Sequence, residues 1–259
     1  MRVAAVVQAR MGSSRLPGKV LMPLAGRPAL WHVSQRLRAQ PLIDAIYIAT
    51  STREQDDPIA DLVAGLEGVH LFRGSEDDVL ARCYHCVEDV RPEIVLRVTG
   101  DVPLVSLRHM TRLLTALMER EDLDGIASTY KYSKLPVGFG HEAYRFPALE
   151  AAHREAKLPE EREHVTTFIK THPDRFEVEI LEAEDALQGP FRFALDHPED
   201  YALLQAIYDR LYRPGEVIDT VDVIELMQSN PDLARINAGC EQNVDPAEAV
   251  LGAKRGGSC

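Results

Sequence analysis

Residues 3–19 have the sequence VAAVVQARMGSSRLPGK, an apolar run followed by a loop of small residues and cations. The apolar run at 3–7 predicts a strand covered on both faces, which is typical of a parallel sheet between two layers of helices. The loop from Gly12 to Gly18 carries Arg15 and is flanked by Arg10 and Lys19. A buried strand is therefore expected to end at a flexible, basic turn.

Strands and helices alternate through the following hundred residues. Apolar runs predict strands at 45–50, 69–72, 93–98 and 124–128, and apolar residues at helical spacing predict helices between them. One helix is expected to begin with Asp57 as its cap and Pro58 as its first residue. Because each crossover helix returns the chain to the same end of the sheet, we predict an α/β fold with a doubly wound, mostly parallel sheet. Ligands of such sheets bind outside the carboxyl ends of the strands, where the loop after residue 8 should face the turn at 100–101.

The second half of the chain is less regular. We predict a loop at 130–140, helices at 147–157 and 160–172, a short strand at 191–195 and a helix opened by Pro198. FEVEIL at 176–181 alternates like an edge strand.

The composition excludes several classes of protein. With 259 residues, 45% hydrophobic and 27% charged, the chain can bury a sizeable core and is neither disordered nor collagen-like. Its formal net charge of -12 argues against a broad nucleic-acid surface. The apolar stretches are too short to span a bilayer, and the first residues predict a strand rather than an export leader. We expect a cytoplasmic protein that binds neither nucleic acid nor membrane.

The four cysteines are Cys83, Cys86, Cys240 and Cys259. Cys83 and Cys86 have the spacing of a redox site or half a zinc site, but they lie in a helical pattern and no second CxxC pair accompanies them. We interpret both as small buried side chains.

The basic loop can hold a polyphosphate. Backbone N–H groups of the Gly-Ser-Ser turn can converge on an anion, and Arg10, Arg15 and Lys19 add charge-assisted hydrogen bonds. The spacing of the glycines and Val20 after Lys19 exclude a Walker A loop, and no dinucleotide fingerprint follows a clear strand. On composition alone, a tight turn with solvated cations is an equally good interpretation.

QARMGSSRLPGKVLMPLAGRPAL at 8–30 resembles the opening of the cytidylyltransferases that activate acidic sugars, the acylneuraminate and 3-deoxy-manno-octulosonate enzymes. Within this family it is most similar to the bacterial spore-coat polysaccharide type. Further matches follow in order: IATSTREQDDPI, RGSEDDVLARCY, RVTGDVPLV, REHVTTFI and FALDHPEDYALL. The resemblance implies the nucleotide-diphospho-sugar transferase type of fold, with a small inserted or appended α+β region.

The resemblance also implies a reaction and a domain plan. CMP would pass from CTP to a small acidic sugar of the nonulosonic type, with release of pyrophosphate, Mg²⁺ as cofactor and a homodimer that could pair through FEVEIL. We predict one nucleotidyltransferase domain over 1–259, with a nucleotide-binding half at 1–128, an acceptor-binding and dimerisation region at 129–218, and C-terminal helices and a tail at 219–259. The same fold could instead serve a guanylyl- or phosphonate cytidylyltransferase, a glycosyltransferase or a catalytically silent nucleotide-binding subunit.

Two aspartates are the candidate metal ligands. Asp101 follows a strand beside the basic loop, where a carboxylate can hold Mg²⁺ together with phosphate oxygens. A turn-forming aspartate would be the simpler interpretation without the resemblance. The family's D-x-P-E-D motif maps its metal-binding aspartate onto Asp196, and Glu199 and Asp200 are interpreted as acids in the first turn of a helix.

The remaining site residues follow from the loop chemistry and the resemblance. Arg10, Lys19 and Asp101 are the predicted catalytic residues. The predicted nucleotide-binding residues are Ala9, Arg10, Gly12, Ser13, Ser14, Arg15, Lys19, Thr50, Ser51, Arg73 and Ser75. Glu142, Arg162 and His164 are predicted to bind the acceptor. Related sequences carry a GLDVEV-like run where this chain has GFGHEA at 138–143, so the acceptor sugar stays open.

Overall fold

The computed structural model describes residues 2–241 and 247–256. The strands are β1 (Val3–Gln8), β2 (Pro23–Leu24), β3 (Arg27–Pro28), β4 (Ala45–Ser51), β5 (Val69–Gly74), β6 (Ile94–Thr99), β7 (Gly125–Ala127), β8 (Glu142–Arg145) and β9 (Val178–Ile180). The α-helices are α1 (Ala29–Arg38), α2 (Asp57–Ala64), α3 (Val79–His85), α4 (Leu107–Glu119), α5 (Tyr130–Ser133), α6 (Phe146–Glu155), α7 (Pro159–Glu163), α8 (Thr167–Thr171), α9 (Pro198–Leu211), α10 (Thr220–Ser229), α11 (Pro231–Arg235) and α12 (Ala247–Gly256).

Seven of the strands form one sheet in the order β5-β4-β1-β6-β8-β7-β9, while β2 and β3 form a separate small hairpin. β1 pairs in parallel with β4 and β6, with Val3 opposite Ile94 and Gln8 opposite Thr99. β8 pairs antiparallel with both of its neighbours, β6 and β7, and β9 is parallel to β7. The prediction of a doubly wound, mostly parallel sheet is confirmed.

Alternate residues of β1 pack against opposite layers of helices. Val3, Ala5 and Val7 join the core that contains α1, α2 and α4, whereas Ala4 and Val6 join the core that contains α3, α6 and α8. Successive side chains of a strand point to opposite faces, so an uninterrupted apolar run is what a strand buried on both faces requires. A third cluster, built around α9 and α10, packs beside the sheet.

The structure corrects several local predictions. The predicted helix at 160–172 is two short helices, α7 and α8, because the β-branched Val165 and Thr166 disfavour helix and His164 leaves the helical region with φ -102° and ψ 54°. Residues 191–195 form no strand and make one isolated bridge, between Arg192 and Val137. The predicted loop at 130–140 begins with helix α5. Strand β8, whose first residue is a buried glutamate, was not predicted.

Cys83 lies in α3 and Cys86 follows its last residue, and both are buried in the core, as expected for small packing side chains. Burial raises the pKa of the Cys83 thiol to about 11 and also raises the pKa of Cys86, so both thiols stay protonated at neutral pH. Cys259 lies outside the described residues. The division of the chain at residues 128 and 218 stays a prediction. Within the part of the chain that is described, no helix combines the length and apolar character needed to cross a bilayer.

Candidate active site

A cavity of about 360 Å³ opens at the carboxyl ends of β1 and β6. The sequence-predicted site residues that line it are Ala9, Arg10, Ser13, Ser14, Arg15, Lys19, Asp101 and His164. The other lining residues are Gln8, Val20, Val79, Arg82, Thr99, Gly100 and Glu163. The basic loop and the turn after β6 therefore face each other across one cavity, at the edge where open parallel sheets bind ligands.

The loop after β1 is a turn closed on Met11. The backbone N–H groups of Ser13 and Gly18 both donate to the Met11 carbonyl, at 2.9 and 3.0 Å. Gly18 has a φ of 71°, in the left-handed region that favours glycine. A 3-10 helix, Lys19–Leu21, begins directly after it. The turn therefore fixes Lys19 at the wall of the cavity.

A buried carboxylate that the sequence analysis missed anchors this turn. Asp56 is 0% exposed and accepts hydrogen bonds from the Met11 amide at 2.7 Å and from the Ser51 hydroxyl. Asp56, rather than Asp57, occupies the position before α2, and Asp57 is the first helical residue and pairs with Arg73. The prediction of Asp57 as cap is wrong by one residue because the DDP sequence offers two adjacent acids. Asp56 ties the loop after β1 to the end of β4.

β1 and β6 approach closely where the cavity begins. A Cβ on Gly100 would lie 3.0 Å from the Ala9 Cβ and 3.2 Å from the Gln8 carbonyl oxygen, so this position accepts only glycine without movement. The Gly100 amide donates to that same carbonyl at 2.9 Å. Asp101 is the next residue after Gly100. Its carboxylate therefore lies at the carboxyl end of β6, at the cavity, and contacts Lys19.

The two predicted metal ligands meet at Lys19. The Lys19 ammonium donates to a carboxylate oxygen of Asp101 and, at 2.7 Å, to Oδ1 of Asp196. The backbone explains how residues so distant in sequence converge, because the Leu195 amide donates to the Asp101 carbonyl at 2.9 Å. Arg15 adds a second cation, 3.0 Å from Asp196 Oδ1. The structure thus brings Lys19, Asp101 and Asp196 together.

The charges at this point hold one another ionised. Burial alone would raise the pKa of Asp196, but Lys19, Arg15 and Arg192 outweigh burial and lower it below its usual value. Burial alone would lower the pKa of Lys19, but Asp101 and Asp196 outweigh it and raise the pKa. At neutral pH Lys19 is therefore an ammonium and Asp196 a carboxylate.

A buried hydrogen-bond network fixes the position of Asp196 on the side away from Lys19. Arg192 donates to Asp196 Oδ2 at 2.6 Å and, through Nε, to Asp200 Oδ1 at 3.0 Å. Asp200 also accepts from the backbone N–H groups of Asp196 and His197, at 3.1 and 3.0 Å, and from Asn237 Nδ2 at 2.8 Å. Asp200 does lie in the first turn of α9, as predicted, but it also fixes the backbone of Asp196.

Five predicted nucleotide-binding residues do not line the cavity. Gly12 faces Gln55, whose Nε2 would lie 3.2 Å from an added Cβ. Thr50 and Ser51 are 0% exposed at the end of β4. Arg73 donates to the carbonyls of residues 51 and 53, at 2.8 and 2.9 Å. The Ser75 hydroxyl accepts from the Asp78 amide at 3.0 Å, so Asp78 rather than Ser75 caps α3.

The three predicted acceptor residues are not grouped together. His164 lines the cavity, but Arg162 donates to both carboxylate oxygens of Asp78 at 3.0 and 3.1 Å and thereby holds α7 against α3. Glu142 is buried below the cavity, where it pairs with Lys170 and accepts from the Thr166 hydroxyl at 2.7 Å. Whether these residues act on an acceptor stays a prediction.

Glu142 is linked to the cavity through Arg97. Arg97 contacts Glu142 Oε2 at 3.4 Å and donates to the side-chain oxygen of Gln8 at 3.1 Å, and Gln8 lines the cavity. Burial alone would raise the pKa of Glu142, but Lys170 and Arg97 outweigh it and bring the pKa to about 2. The Glu142 carboxylate is therefore charged at neutral pH, and Lys170 and Arg97 compensate its charge.

Replacing Glu142 with Gln should lower the free energy of unfolding at pH 7 by about 3 kcal/mol, because it removes the buried negative charge that Lys170 and Arg97 both contact. The folded-state pKa lies below the ordinary value, so this stability is present above pH 4.5 and is lost as the pH falls towards 2. The difference between wild type and variant, measured by urea unfolding, should shrink over that range. Glu179→Gln, which breaks an exposed pair with Arg120, is the control and should have little effect. An unchanged difference at low pH would contradict the assigned charge.

Arg82, Glu163 and Gln8 line the cavity without having been predicted. Arg82 belongs to the matched segment RGSEDDVLARCY, but nothing in its local pattern distinguishes it from an arginine on the outer face of a helix. Gln8 is the last residue of β1. It could have been predicted to line the cavity, because ligands of parallel sheets bind at the carboxyl ends of the strands.

The donor set at Lys19 suits a hard divalent cation. Carboxylate oxygens of Asp101 and Asp196 lie within hydrogen-bond reach of one nitrogen, so both point at the same small volume. Mg²⁺ prefers one or two carboxylates together with phosphate oxygens and water. The residues present therefore fit such an ion.

A family profile described as cytidylyltransferase matches residues 4–222. The spore coat polysaccharide biosynthesis protein SpsF of Bacillus subtilis is 35% identical over 235 residues, which cover 88% of this chain and 95% of that protein. A 3-deoxy-manno-octulosonate cytidylyltransferase of Anaeromyxobacter sp. is 30% identical over 245 residues, covering 86% of this chain and 95% of that enzyme. The chain therefore belongs to the cytidylyltransferase family, and the resemblance seen in the sequence motifs is confirmed.

Solved structures agree on the fold. A cytidylyltransferase from Leptospira borgpetersenii superposes with a TM-score of 0.84 at 24% identity, covering 95% of this chain and 99% of that one. Rv0371c of Mycobacterium tuberculosis, solved in complex with manganese, superposes with a TM-score of 0.56 at 15% identity, covering 80% of this chain and 99% of that one. The nucleotide-diphospho-sugar transferase type of fold is thus confirmed.

Proposed function

We propose that this protein transfers CMP from CTP to an acidic sugar of the nonulosonic type and releases pyrophosphate, for the synthesis of a surface polysaccharide. The observation that carries the proposal is the contact of Lys19 with both Asp101 and Asp196, where Lys19 and Asp101 line the same cavity as the basic loop. The names of the two relatives support the acidic sugar and the polysaccharide.

In the proposed reaction, a sugar hydroxyl oxygen attacks the α-phosphorus of CTP. The new oxygen–phosphorus bond forms as the bond to the bridging oxygen breaks, the hydroxyl proton passes to solvent, and pyrophosphate leaves with the bonding electrons. Such transfers depend mainly on positioning and on neutralisation of charge. Arg10, Arg15 and Lys19 line one cavity and can donate to phosphate oxygens, while the turn at 12–18 offers backbone N–H groups.

Asp101 and Asp196 are the residues that would hold Mg²⁺. When bound, the ion would neutralise charge on the phosphate oxygens and lower the pKa of the attacking hydroxyl. The manganese complex of Rv0371c, a protein of the same fold, supports a divalent ion at this fold. Arg192 holds Oδ2 of Asp196, which leaves Oδ1 directed at Lys19.

Purified protein incubated with CTP, Mg²⁺ and a panel of nonulosonic acids should release pyrophosphate with at least one acceptor. Thermal shift with CTP, GTP, UTP and ATP should show the largest rise in melting temperature with CTP, because a ligand that binds the folded state stabilises it. A larger rise with another nucleotide would contradict the choice of CTP. Stabilisation by CTP without pyrophosphate from any acceptor would favour a silent nucleotide-binding subunit.

We also propose that the protein is a homodimer and works in the cytoplasm. β9 pairs with β7 and is the last strand of the sheet in the described residues, and edge strands are frequent sites of pairing between chains. Sedimentation velocity at micromolar concentration should show a dimer. A monomer at that concentration would contradict the proposal.

A further inference from the structure

Arg82 is a buried cation at the wall of the cavity. It lies on α3, is 2% exposed, and lines the same cavity as Arg10 and Lys19. Its Cγ would lie 3.2 Å from a Cβ on Gly74, at the end of β5, so the side chain is packed firmly along its length. A long side chain held in this way has already lost its rotamer freedom.

In the described residues, the hydrogen bonds of the Arg82 guanidinium go to backbone carbonyls and to no carboxylate. Nη1 donates to the backbone carbonyls of Ser75 and Glu76, the latter at 3.1 Å. Nε is buried without a hydrogen-bond partner, and within residues 2–241 and 247–256 no carboxylate lies within ion-pair distance of this side chain. Burial lowers the pKa of Arg82 and the charge of Arg10 lowers it further, whereas Cys83, Asp56 and Glu76, none of which pairs with the guanidinium, oppose the shift without cancelling it. A buried cation without an anion is costly unless an anion arrives with a ligand.

The cations of the cavity fall into two groups. Lys19 and Arg15 are already paired with the aspartates of the site. Arg10 and Arg82 have no carboxylate partner in the part of the chain that the structure describes. In a protein with a net charge of -12, two unpaired arginines at one cavity are a specific local excess of positive charge.

We propose that Arg82 is a binding residue for an anionic oxygen group of the substrates, acting beside Arg10. The anion is either a phosphate of CTP or the carboxylate of the acceptor, both of which accept hydrogen bonds from a guanidinium in the same way. This inference rests on the proposed function, and it adds a residue that neither the loop nor the two aspartates supply.

Arg82→Met should raise the KM for one substrate by about ten- to a hundredfold, the value of a hydrogen bond to a charged group. Arg82→Lys should recover part of this loss because it keeps the charge. A raised KM for CTP would assign the phosphate, and a raised KM for the acceptor would assign the carboxylate. Thermal shift with inorganic pyrophosphate alone adds a readout that needs no turnover. A smaller shift in Arg82→Met than in wild type supports the phosphate assignment.

Arg145→Met is the matched control. Within the described residues, Arg145 also donates only to backbone carbonyls, at 2.8, 2.9 and 3.1 Å, but it lies opposite Ile94, the first residue of β6, and so at the end of that strand away from the cavity. This variant should lose stability without ligand yet keep both KM values. A folded Arg82→Met with wild-type KM for both substrates would overturn the inference, as would loss of stability alone. Wild-type protein that is stabilised by pyrophosphate but releases none would overturn the proposed function instead.

Discussion

Asp101→Asn should lower the rate of pyrophosphate release by about a thousandfold, the scale of losing one preorganised charge contact in a transition state. The amide keeps the shape of the side chain but removes one of the two anions that meet at Lys19. Binding of CTP in the absence of Mg²⁺ should persist, because a negative charge next to the phosphates has been removed. The kinetic constants and the thermal shift with CTP separate the two effects.

Asp122→Asn is the control for this experiment. Asp122 pairs with Arg120 on the surface, and its carboxylate is 62% exposed. The control should have wild-type kinetics, because exposed ion pairs contribute little. Full turnover by Asp101→Asn would refute the role assigned to this carboxylate, and loss of CTP binding in that variant would indicate a structural role instead.

Arg192→Met should have the largest effect on stability, with a loss of about 3–5 kcal/mol in the free energy of unfolding. Arg192 is the cation for Asp200, whose side chain is 0% exposed, and it also contacts Asp196. Removing it leaves a buried carboxylate with neutral partners only. Urea unfolding at pH 7 measures the change.

A second substitution tests this explanation. Arg192→Met combined with Asp200→Asn should recover part of the lost stability, since the uncompensated charge is gone. Arg235→Met provides the contrast, because it removes an arginine–aspartate pair whose side chains are 77% and 92% exposed, and unfolding should hardly change. Equal losses in Arg192→Met and Arg235→Met would show that burial of the pair does not matter.

Features encoded locally were predictable from the sequence. The apolar run of β1 predicts burial on both faces, and both faces are indeed covered. Asp101 was predicted because the carboxyl end of a strand is where parallel sheets bind ligands. The position of Asp196 beside it required the family motif, since no local pattern shows that the Leu195 amide pairs with the Asp101 carbonyl.

Features that depend on distant partners could not be predicted. A strand that begins with Glu142 looks unfavourable until Lys170 and Arg97, far away in sequence, are seen around it. Arg162 has the character of a substrate-binding residue, yet Asp78 in another motif engages its guanidinium. In each case the sequence shows the charged residue, whereas its oppositely charged partner can be recognised only in the folded structure.

The antiparallel strand β8 determines when the sheet can be completed as the protein folds. β6 has β8 as its second neighbour, and β7 pairs only with β8 and β9 among the described strands. During synthesis, the backbone N–H and C=O groups on the free side of β6 therefore lack partners until the chain up to residue 145 has left the ribosome. The same holds for β7, which also pairs with β8. A nascent chain that stops earlier exposes an unprotected strand, which is prone to aggregate. The early residues carry the basic loop, but the later ones close the sheet that supports it.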